Sequence, residues 1–218
     1  MTKSLFIVGA GPGIGQATAE RFGQEGWTIV LGSRSPRTLD PLVASLQSKG
    51  INAYGIVVDA TDPEAVRAAA READRRGDGL TAVHYNAAVM RRGDFFAMSD
   101  AEIAGDLAVN VAGGLNTIRA AAETFGTRSG TILVTGGGLA ITPNQSVASL
   151  GLGKAALRNA VQALAPQLAE RNIHLAIATV LAVVTPDSVE AKGVANTFWQ
   201  MATTGGNWEV IYRKEAER

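Results

Sequence analysis

The sequence of 218 residues contains no cysteine and only two histidines, His84 and His174. The absence of cysteine excludes disulfide frameworks, thiolate metal sites and cysteine nucleophiles. Because two imidazoles are too few for a multi-histidine metal site, no metal cofactor is expected.

An excess of charge of either sign is also lacking, since 20 basic residues balance 20 acidic ones. No general electrostatic attraction to nucleic acid or to a membrane is therefore expected. The first apolar run, at residues 5–8, is too short for a signal-peptide core or a membrane span. These features favour a cytoplasmic globular protein with a small-molecule partner.

Apolar runs alternate with amphipathic segments along the whole chain, without internal repeats or linkers. Because the runs are apolar throughout, they predict strands of a sheet that is covered on both faces. Strict alternation with helices predicts parallel pairing through right-handed crossovers. The sequence therefore predicts one doubly wound, Rossmann-type α/β domain over residues 1–218, with six strands and a seventh at 208–212 on the edge. The predicted strands are 5–9, 27–32, 51–59, 80–85, 131–136 and 173–181; the predicted helices are 14–25, 39–49, one after Pro63, 100–125, 147–170 and 188–201.

A glycine-rich turn, GAGPGIG at residues 9–15, joins the first strand to the first helix. Gly9 permits a tight turn, Gly13 lets the backbone approach a pyrophosphate, and Gly15 lets the helix pack closely on the strand. The N-terminus of the helix then offers free N–H groups to the phosphates. This context, between strand and helix, predicts a dinucleotide site that also includes Gly11 and Ile14.

The end of the second strand reads Gly-Ser-Arg-Ser and carries no carboxylate for a ribose 2′-hydroxyl. Ser33 and Arg34 are instead suited to a ribose 2′-phosphate, to which a guanidinium donates charge-assisted hydrogen bonds. The sequence therefore favours NADP(H) over NAD. The alternative is that Arg34 is only a solvated loop residue.

With these features the sequence resembles the short-chain dehydrogenase/reductase family over nearly its whole length. The resemblance implies that Asp59 and the following Ala60 lie at the adenine, and that Thr185 bonds the nicotinamide amide. The segment Asn86, Ala87 and Ala88 matches the family's Asn-Ala-Gly, with alanine in place of the glycine. Asn110 and Lys154 match the family's active-site asparagine and lysine, and the lysine also holds the nicotinamide ribose.

Two departures from the family pattern fall on its catalytic residues. Leu150 stands where the family has its proton-donating tyrosine, and Gly137 stands where it has the serine that orients the substrate oxygen. A third departure, Val180-Leu181, replaces the usual Pro-Gly. Loss of a positioned acid typically costs about 10²–10⁴ in rate, so the family's usual route is not expected to be efficient.

Replacement of the missing acid by another side chain is disfavoured. Ser146 lacks an activating partner, Ser149 points away from the pocket, and Tyr85 is expected to pack. A water held by Lys154 and Asn110 is the better candidate. Arg91 is expected in a solvated loop.

Two functions stay open: an oxidoreductase of divergent mechanism, and a catalytically silent NADP(H)-binding protein that senses the cofactor or acts through partners. The resemblance also implies a homodimer or homotetramer. The substrate is not specified by the sequence.

Overall fold

The computed structural model describes residues 3–214, which form a seven-stranded, all-parallel sheet in the order β3-β2-β1-β4-β5-β6-β7. The strands are β1 Ser4–Val8, β2 Thr28–Ser33, β3 Ala53–Val57, β4 Ala82–Tyr85, β5 Gly130–Thr135, β6 Ile173–Leu181 and β7 Glu209–Arg213. The helices are α1 Ile14–Gly23, α2 Pro36–Ser48, α3 Pro63–Arg76, α4 Asp100–Leu107, α5 Gly114–Phe125, α6 Ala148–Ala169 and α7 Val189–Thr204. The predicted fold is confirmed, with the segment near 208–212 as the seventh, edge strand.

Two apolar layers enclose the sheet. One layer packs α3, α5 and α6 on the first face, and the other packs α1, α2 and α7 on the second. All five residues of β1 are buried. Because the central strands are covered on both faces, nearly continuous apolar runs form them, as expected for a parallel sheet.

Three helices differ from the prediction by three residues or more, and one of them is α7, which ends at Thr204 instead of at 201. The structure begins α2 at Pro36, three residues before the predicted 39, because proline is well suited to the first turn of a helix. The predicted helix 100–125 is interrupted, since Ala108–Gly113 forms a π-helical turn between α4 and α5. Such a turn holds one more residue than an α-helical turn and is frequent at functional sites.

The chain direction places the turns after β1, β4, β5 and β6 along one edge of the sheet. In the sheet, β2 and β3 lie on one side of β1, and β4 to β7 lie on the other side. The strand order therefore reverses between β1 and β4. Ligands of open α/β sheets bind outside the carboxyl ends of the strands at such a switch point.

Candidate nucleotide site

A cleft of about 260 Å³ opens at this switch point, against the ends of β1, β2 and β4. It brings together eight of the residues predicted to bind a cofactor: Gly9, Ser33, Arg34, Asp59, Ala60, Asn86, Ala87 and Ala88. Val8, Ala10, Val58 and Val109 complete its lining. Residues from five separate parts of the chain thus meet in one cleft.

The glycine turn has the local geometry that its sequence predicts. Gly9 has a φ of 88°, and a Cβ atom there would lie 2.3 Å from the backbone nitrogen of Ala87. At Gly15 a Cβ would lie 3.2 Å from Nδ2 of Asn86, so α1 packs closely at this point. At Gly11 and Gly13, by contrast, a Cβ would meet no atom within 4 Å. Gly9 and Gly15 thus allow close packing within the chain, whereas Gly11 and Gly13 leave open space beside the turn.

The start of α1 fits an anionic ligand. The helix begins at Ile14, and no side chain caps its N-terminus at Gly13. Uncapped N–H groups and the helix dipole both favour a phosphate at this position. The open space at Gly11 and Gly13 is the cradle that a side chain would fill, so these residues fit a pyrophosphate.

Asp59 is held in its ionised, oriented form at the cleft. Its Oδ1 accepts hydrogen bonds from the backbone N–H of Thr61 at 2.9 Å and from Thr61 Oγ1 at 2.8 Å. The backbone bond, then the hydroxyl bond and the charge of Arg34, lower the pKa of Asp59 below its ordinary value. Arg34 itself is exposed at the end of β2, so its guanidinium is open to a ligand in the cleft.

The predicted active-site lysine is buried on α6 beside the end of β5. Lys154 Nζ donates to the backbone carbonyl of Thr135 at 2.6 Å. Burial lowers the pKa of Lys154 to about 8. Leu150, one helical turn earlier, is also buried, and Gly137 lies alongside the lysine, since a Cβ there would be 3.5 Å from Lys154 Cγ.

Asn110 lies in the π-helical turn and holds the segment that follows β4. Its Oδ1 accepts from the N–H of Val89 at 2.8 Å, and its Nδ2 donates to the carbonyl of Val89 at 2.9 Å. Against this turn α6 packs so closely that a Cβ at Gly153 would lie 2.4 Å from the Cβ of Asn110. A water held by the side chain of Asn110 has to use the second N–H or second lone pair of the amide.

The other residues predicted to bind the cofactor do not line this cleft. Thr185 is exposed in the connection between β6 and α7, where its carbonyl accepts from Ser188 Oγ at 2.8 Å. A second cleft of about 350 Å³, which sequence analysis missed, lies between α1 and α7 and is bordered by Gly13 and Asp187. It adjoins the glycine turn on the side of the short β6–α7 connection.

The other hydroxyl groups that were considered as proton donors are hydrogen-bonded to other partners or exposed. Ser149 Oγ donates to Asp106 Oδ2 at 2.7 Å, and Ser146 is exposed. The hydroxyl of Tyr85 donates to the carbonyl of Val109, and burial raises the pKa of Tyr85. As expected, neither Ser149 nor Tyr85 is placed as a proton donor.

Arg91 lies in a loop with 38% of its side chain exposed, as expected, but its guanidinium group is also paired. Its guanidinium pairs with Asp106 at 3.2 Å and with Glu102 at 2.8 Å. The carboxylate of Asp106 is buried, and a buried charge needs such a partner. Arg91 therefore fixes the loop after β4 to α4.

Sequence analysis missed Thr135, which contacts two predicted residues. Its carbonyl accepts from Lys154, and its hydroxyl donates to Asn86 Oδ1 at 2.9 Å. The available signal was a polar residue at the end of an apolar strand, at the edge where the carboxyl ends of parallel strands meet.

Across 3–214, no group of three or more His, Asp or Glu side chains is arranged to hold a metal ion. In that same range, none of the helices has the length and apolar character needed to cross a membrane.

The free energy of unfolding is expected to rise by about 2–3 kcal/mol between about pH 8 and pH 10 because of Lys154. The folded-state pKa is about 8, whereas an unfolded lysine titrates at about 10.4. In this window the unfolded chain holds a proton that the folded chain has released, so stability increases with pH. Urea unfolding of the wild type and of Lys154→Met across this range isolates the effect, because other groups cancel in the difference. Parallel curves for the two proteins would contradict the assigned pKa.

Comparison with known proteins places this arrangement among related sequences. The profile described as short chain dehydrogenase matches residues 3–193. The chain is 31% identical over 189 residues to 2,3-dihydro-2,3-dihydroxybenzoate dehydrogenase of Bacillus subtilis, covering 86% of this chain and 70% of that protein. It is 26% identical over 175 residues to the 3-oxoacyl-(acyl-carrier-protein) reductase FabG of Staphylococcus aureus. This match covers 79% of this chain and 71% of that protein.

Solved structures share the fold. A short-chain dehydrogenase from Rhodopseudomonas palustris superposes with a TM-score of 0.86 at 24% identity, covering 97% of this chain and 98% of that one. A metagenomic short-chain oxidoreductase in complex with NADP superposes with a TM-score of 0.88 at 22% identity, covering 98% of both chains.

Proposed function

The chain belongs to the short-chain dehydrogenase family, and from this premise we propose that it is an NADP(H)-dependent oxidoreductase with a non-standard active site. Proteins of this family bind NAD or NADP, and the related metagenomic oxidoreductase was solved with NADP. The substrate class we propose is a carbonyl compound or an activated double bond. A bound reduced nicotinamide supplies the hydride for such a reduction.

One observation carries the proposal: the 260 Å³ cleft brings Gly9 of the glycine turn together with Ser33 and Arg34, and the same turn leads into the uncapped start of α1. The pyrophosphate would be held by the backbone at Gly11 and Gly13. Asp59 would accept from the adenine amino group. Arg34 would bind the 2′-phosphate, which distinguishes NADP from NAD.

The proton has to come from a route that does not use the residue at 150. Lys154 would hold the nicotinamide ribose, and together with Asn110 it would hold a water that passes a proton to the substrate oxygen. The absence of a side chain at Gly137 leaves room beside the lysine. Because a relayed proton is less well positioned than a side-chain acid, turnover is expected to be slow.

Exposed apolar side chains occur in three of the connections that follow the strands. Met90, Ile141 and Val183 are exposed in the connections after β4, β5 and β6, which are neighbours in the sheet. Because covering apolar surface is favourable, these residues support a substrate with a substantial apolar part.

The test is a panel of carbonyl substrates assayed with NADPH. We expect slow turnover by the wild type, and loss of turnover in Lys154→Ala by at least about 10²-fold while NADPH still binds. Turnover that survives Lys154→Ala unchanged would contradict the assigned role. Absence of turnover by the wild type on every substrate would favour the second candidate.

That second candidate is a catalytically silent NADP(H)-binding protein that senses the cofactor or acts through partners. A specific observation favours it: Leu150 and Gly137 remove both the proton donor and the orienting hydroxyl, while the glycine turn is intact. Leucine neither donates nor accepts a proton.

Arg34→Ala is expected to weaken NADPH binding by about 10-fold or more without changing the affinity for NADH. The guanidinium would donate charge-assisted bonds to a 2′-phosphate that NADH lacks. Titration of both coenzymes by nucleotide fluorescence measures the two affinities. Arg37→Ala is the matched control, because Arg37 is likewise exposed and close in sequence but does not line the cleft. Equal losses of affinity for the two coenzymes would show that Arg34 does not bind the 2′-phosphate.

A further inference from the structure

His84 lies at the base of the nucleotide site, on β4, with a fully buried side chain. Its Nε2 is 2.8 Å from Thr135 Oγ1, and its ring packs on Phe198 with the ring centres 4.2 Å apart. Within the described chain its Nδ1 is buried and has no hydrogen-bond partner. An unpaired buried nitrogen costs free energy that a valine or leucine at this position would not.

The hydrogen bonds continue from His84 to the glycine turn. Thr135 Oγ1 lies 2.9 Å from Asn86 Oδ1, and Asn86 Nδ2 lies 3.0 Å from the carbonyl oxygen of Gly9. We call these four residues the His84 chain. It connects a residue in the core to the carbonyl of the turn that has the left-handed glycine.

Elementary donor and acceptor rules fix the direction of every bond in the His84 chain. The carbonyl of Gly9 only accepts, so the amide nitrogen of Asn86 faces it and the amide oxygen faces Thr135. That oxygen also only accepts, so the single hydroxyl proton of Thr135 points to Asn86. Thr135 Oγ1 must then accept from His84, and the ring proton of His84 is on Nε2.

We propose that His84 and Thr135 are positioning residues for the dinucleotide: through Asn86 they fix the carbonyl of Gly9 and hence the turn that would carry the pyrophosphate. The backbone carbonyl of Thr135 also accepts from Lys154 Nζ at 2.6 Å. Thr135 thereby connects the glycine turn, which would hold the pyrophosphate, to Lys154, which would hold the nicotinamide ribose. The inference rests on the proposed function, because the positioned ligand is the NADP(H) proposed above.

The charge state of His84 supports this role. Burial, and next the positive charge of Lys154, lower the pKa of His84 to about 3. The ring therefore stays neutral at the pH values at which the protein would work. A neutral ring with one proton keeps the order of donors and acceptors along the His84 chain constant.

The tautomer of His84 is measured directly by the NMR chemical shifts of its ring nitrogens in the ligand-free protein. Because the chain has only two histidines, comparison with His174→Gln assigns the signals. We expect a protonated Nε2 and an unprotonated Nδ1 between about pH 5 and pH 9. A proton on Nδ1 would overturn the order of bonds and the proposal with it.

The positioning role is measured by NADPH affinity in variants of Thr135. Thr135→Val removes the hydroxyl but keeps the carbonyl that accepts from Lys154, and it leaves Nε2 of His84 and Oδ1 of Asn86 unpaired. We expect it to raise the Kd for NADPH by about 10-fold, and we expect Thr135→Ser, which restores the hydroxyl, to recover the affinity to within about 2-fold.

A matched control separates positioning from loss of stability. Ile132 is fully buried on the same strand and lies outside the His84 chain. Ile132→Val should lower the free energy of unfolding and leave the Kd for NADPH unchanged. Wild-type affinity in Thr135→Val, or an equal loss in Ile132→Val, would overturn the proposal. If the wild type binds neither NADPH nor NADH, the proposed function fails and the positioning role fails with it; a protonated Nε2 would then still establish the hydrogen-bond order on its own.

Discussion

Gly9→Ala is expected to abolish NADPH binding and to lower the free energy of unfolding by about 2–6 kcal/mol. The φ of 88° at Gly9 is strained for alanine, and the new Cβ would lie 2.3 Å from the backbone nitrogen of Ala87. Backbone cannot rotate aside as a side chain can, so the turn after β1 and the start of the segment after β4 have to separate. Both contribute to the lining of the 260 Å³ cleft.

Thermal unfolding and NADPH titration measure the two effects of Gly9→Ala, with a decrease in Tm of roughly 5–20 °C expected. Gly11→Ala is the matched control in the same turn, because its Cβ would meet nothing within 4 Å and its φ is outside the left-handed region. Its stability should stay within about 0.5–1 kcal/mol of the wild type. Wild-type stability in Gly9→Ala would contradict the geometry of the turn.

The double variant Gly137→Ser, Leu150→Tyr is expected to reduce carbonyl substrates about 10²–10⁴-fold faster than the wild type. Lys154 lies one helical turn after position 150, so its charge would lower the pKa of a phenol placed there. The serine fits, because a Cβ at Gly137 would contact Lys154 Cγ at 3.5 Å and Cε at 3.6 Å, which are ordinary separations. Initial rates with NADPH across the carbonyl panel provide the measurement.

The control for the double variant is Gly137→Ser, Leu150→Phe, which has a similar shape at position 150 and lacks the hydroxyl. Only the tyrosine variant should gain activity. Activity confined to that variant, with none in the wild type, would favour the silent NADP(H)-binding protein over the oxidoreductase. No gain at all would show that these two positions do not limit the reaction.

Much of the cleft could be predicted from sequence because its parts are local. The φ of 88° at Gly9 is a local requirement of the GAGPGIG turn, whereas its close contact with Ala87 is not, and apolar runs identify the buried strands. Once the strands are parallel, their carboxyl ends share one edge. Ser33, Arg34, Asp59 and Asn86 therefore had to approach each other, and they do so in one cleft.

The missed features depend on which side chains from distant segments meet. Thr135 and Asn86 are 49 residues apart, and their hydrogen bond depends on the register of β4 against β5. The pairing of Arg91 with buried Asp106 follows from the path of a loop. The π-helical turn at Ala108–Gly113 packs closely against Gly153 of α6, and this contact joins segments that are distant in sequence.

The proposed function requires that the cleft at the end of β1 bind a dinucleotide with a phosphate on its adenosine ribose. Titration of the purified wild type with NADPH and with NADH, followed by nucleotide fluorescence, measures this binding. We expect saturable binding of both coenzymes, with NADPH binding about 10-fold or more tighter. Equal affinities would remove the role of Arg34, and absence of binding by either coenzyme would show that the cleft is not a dinucleotide site.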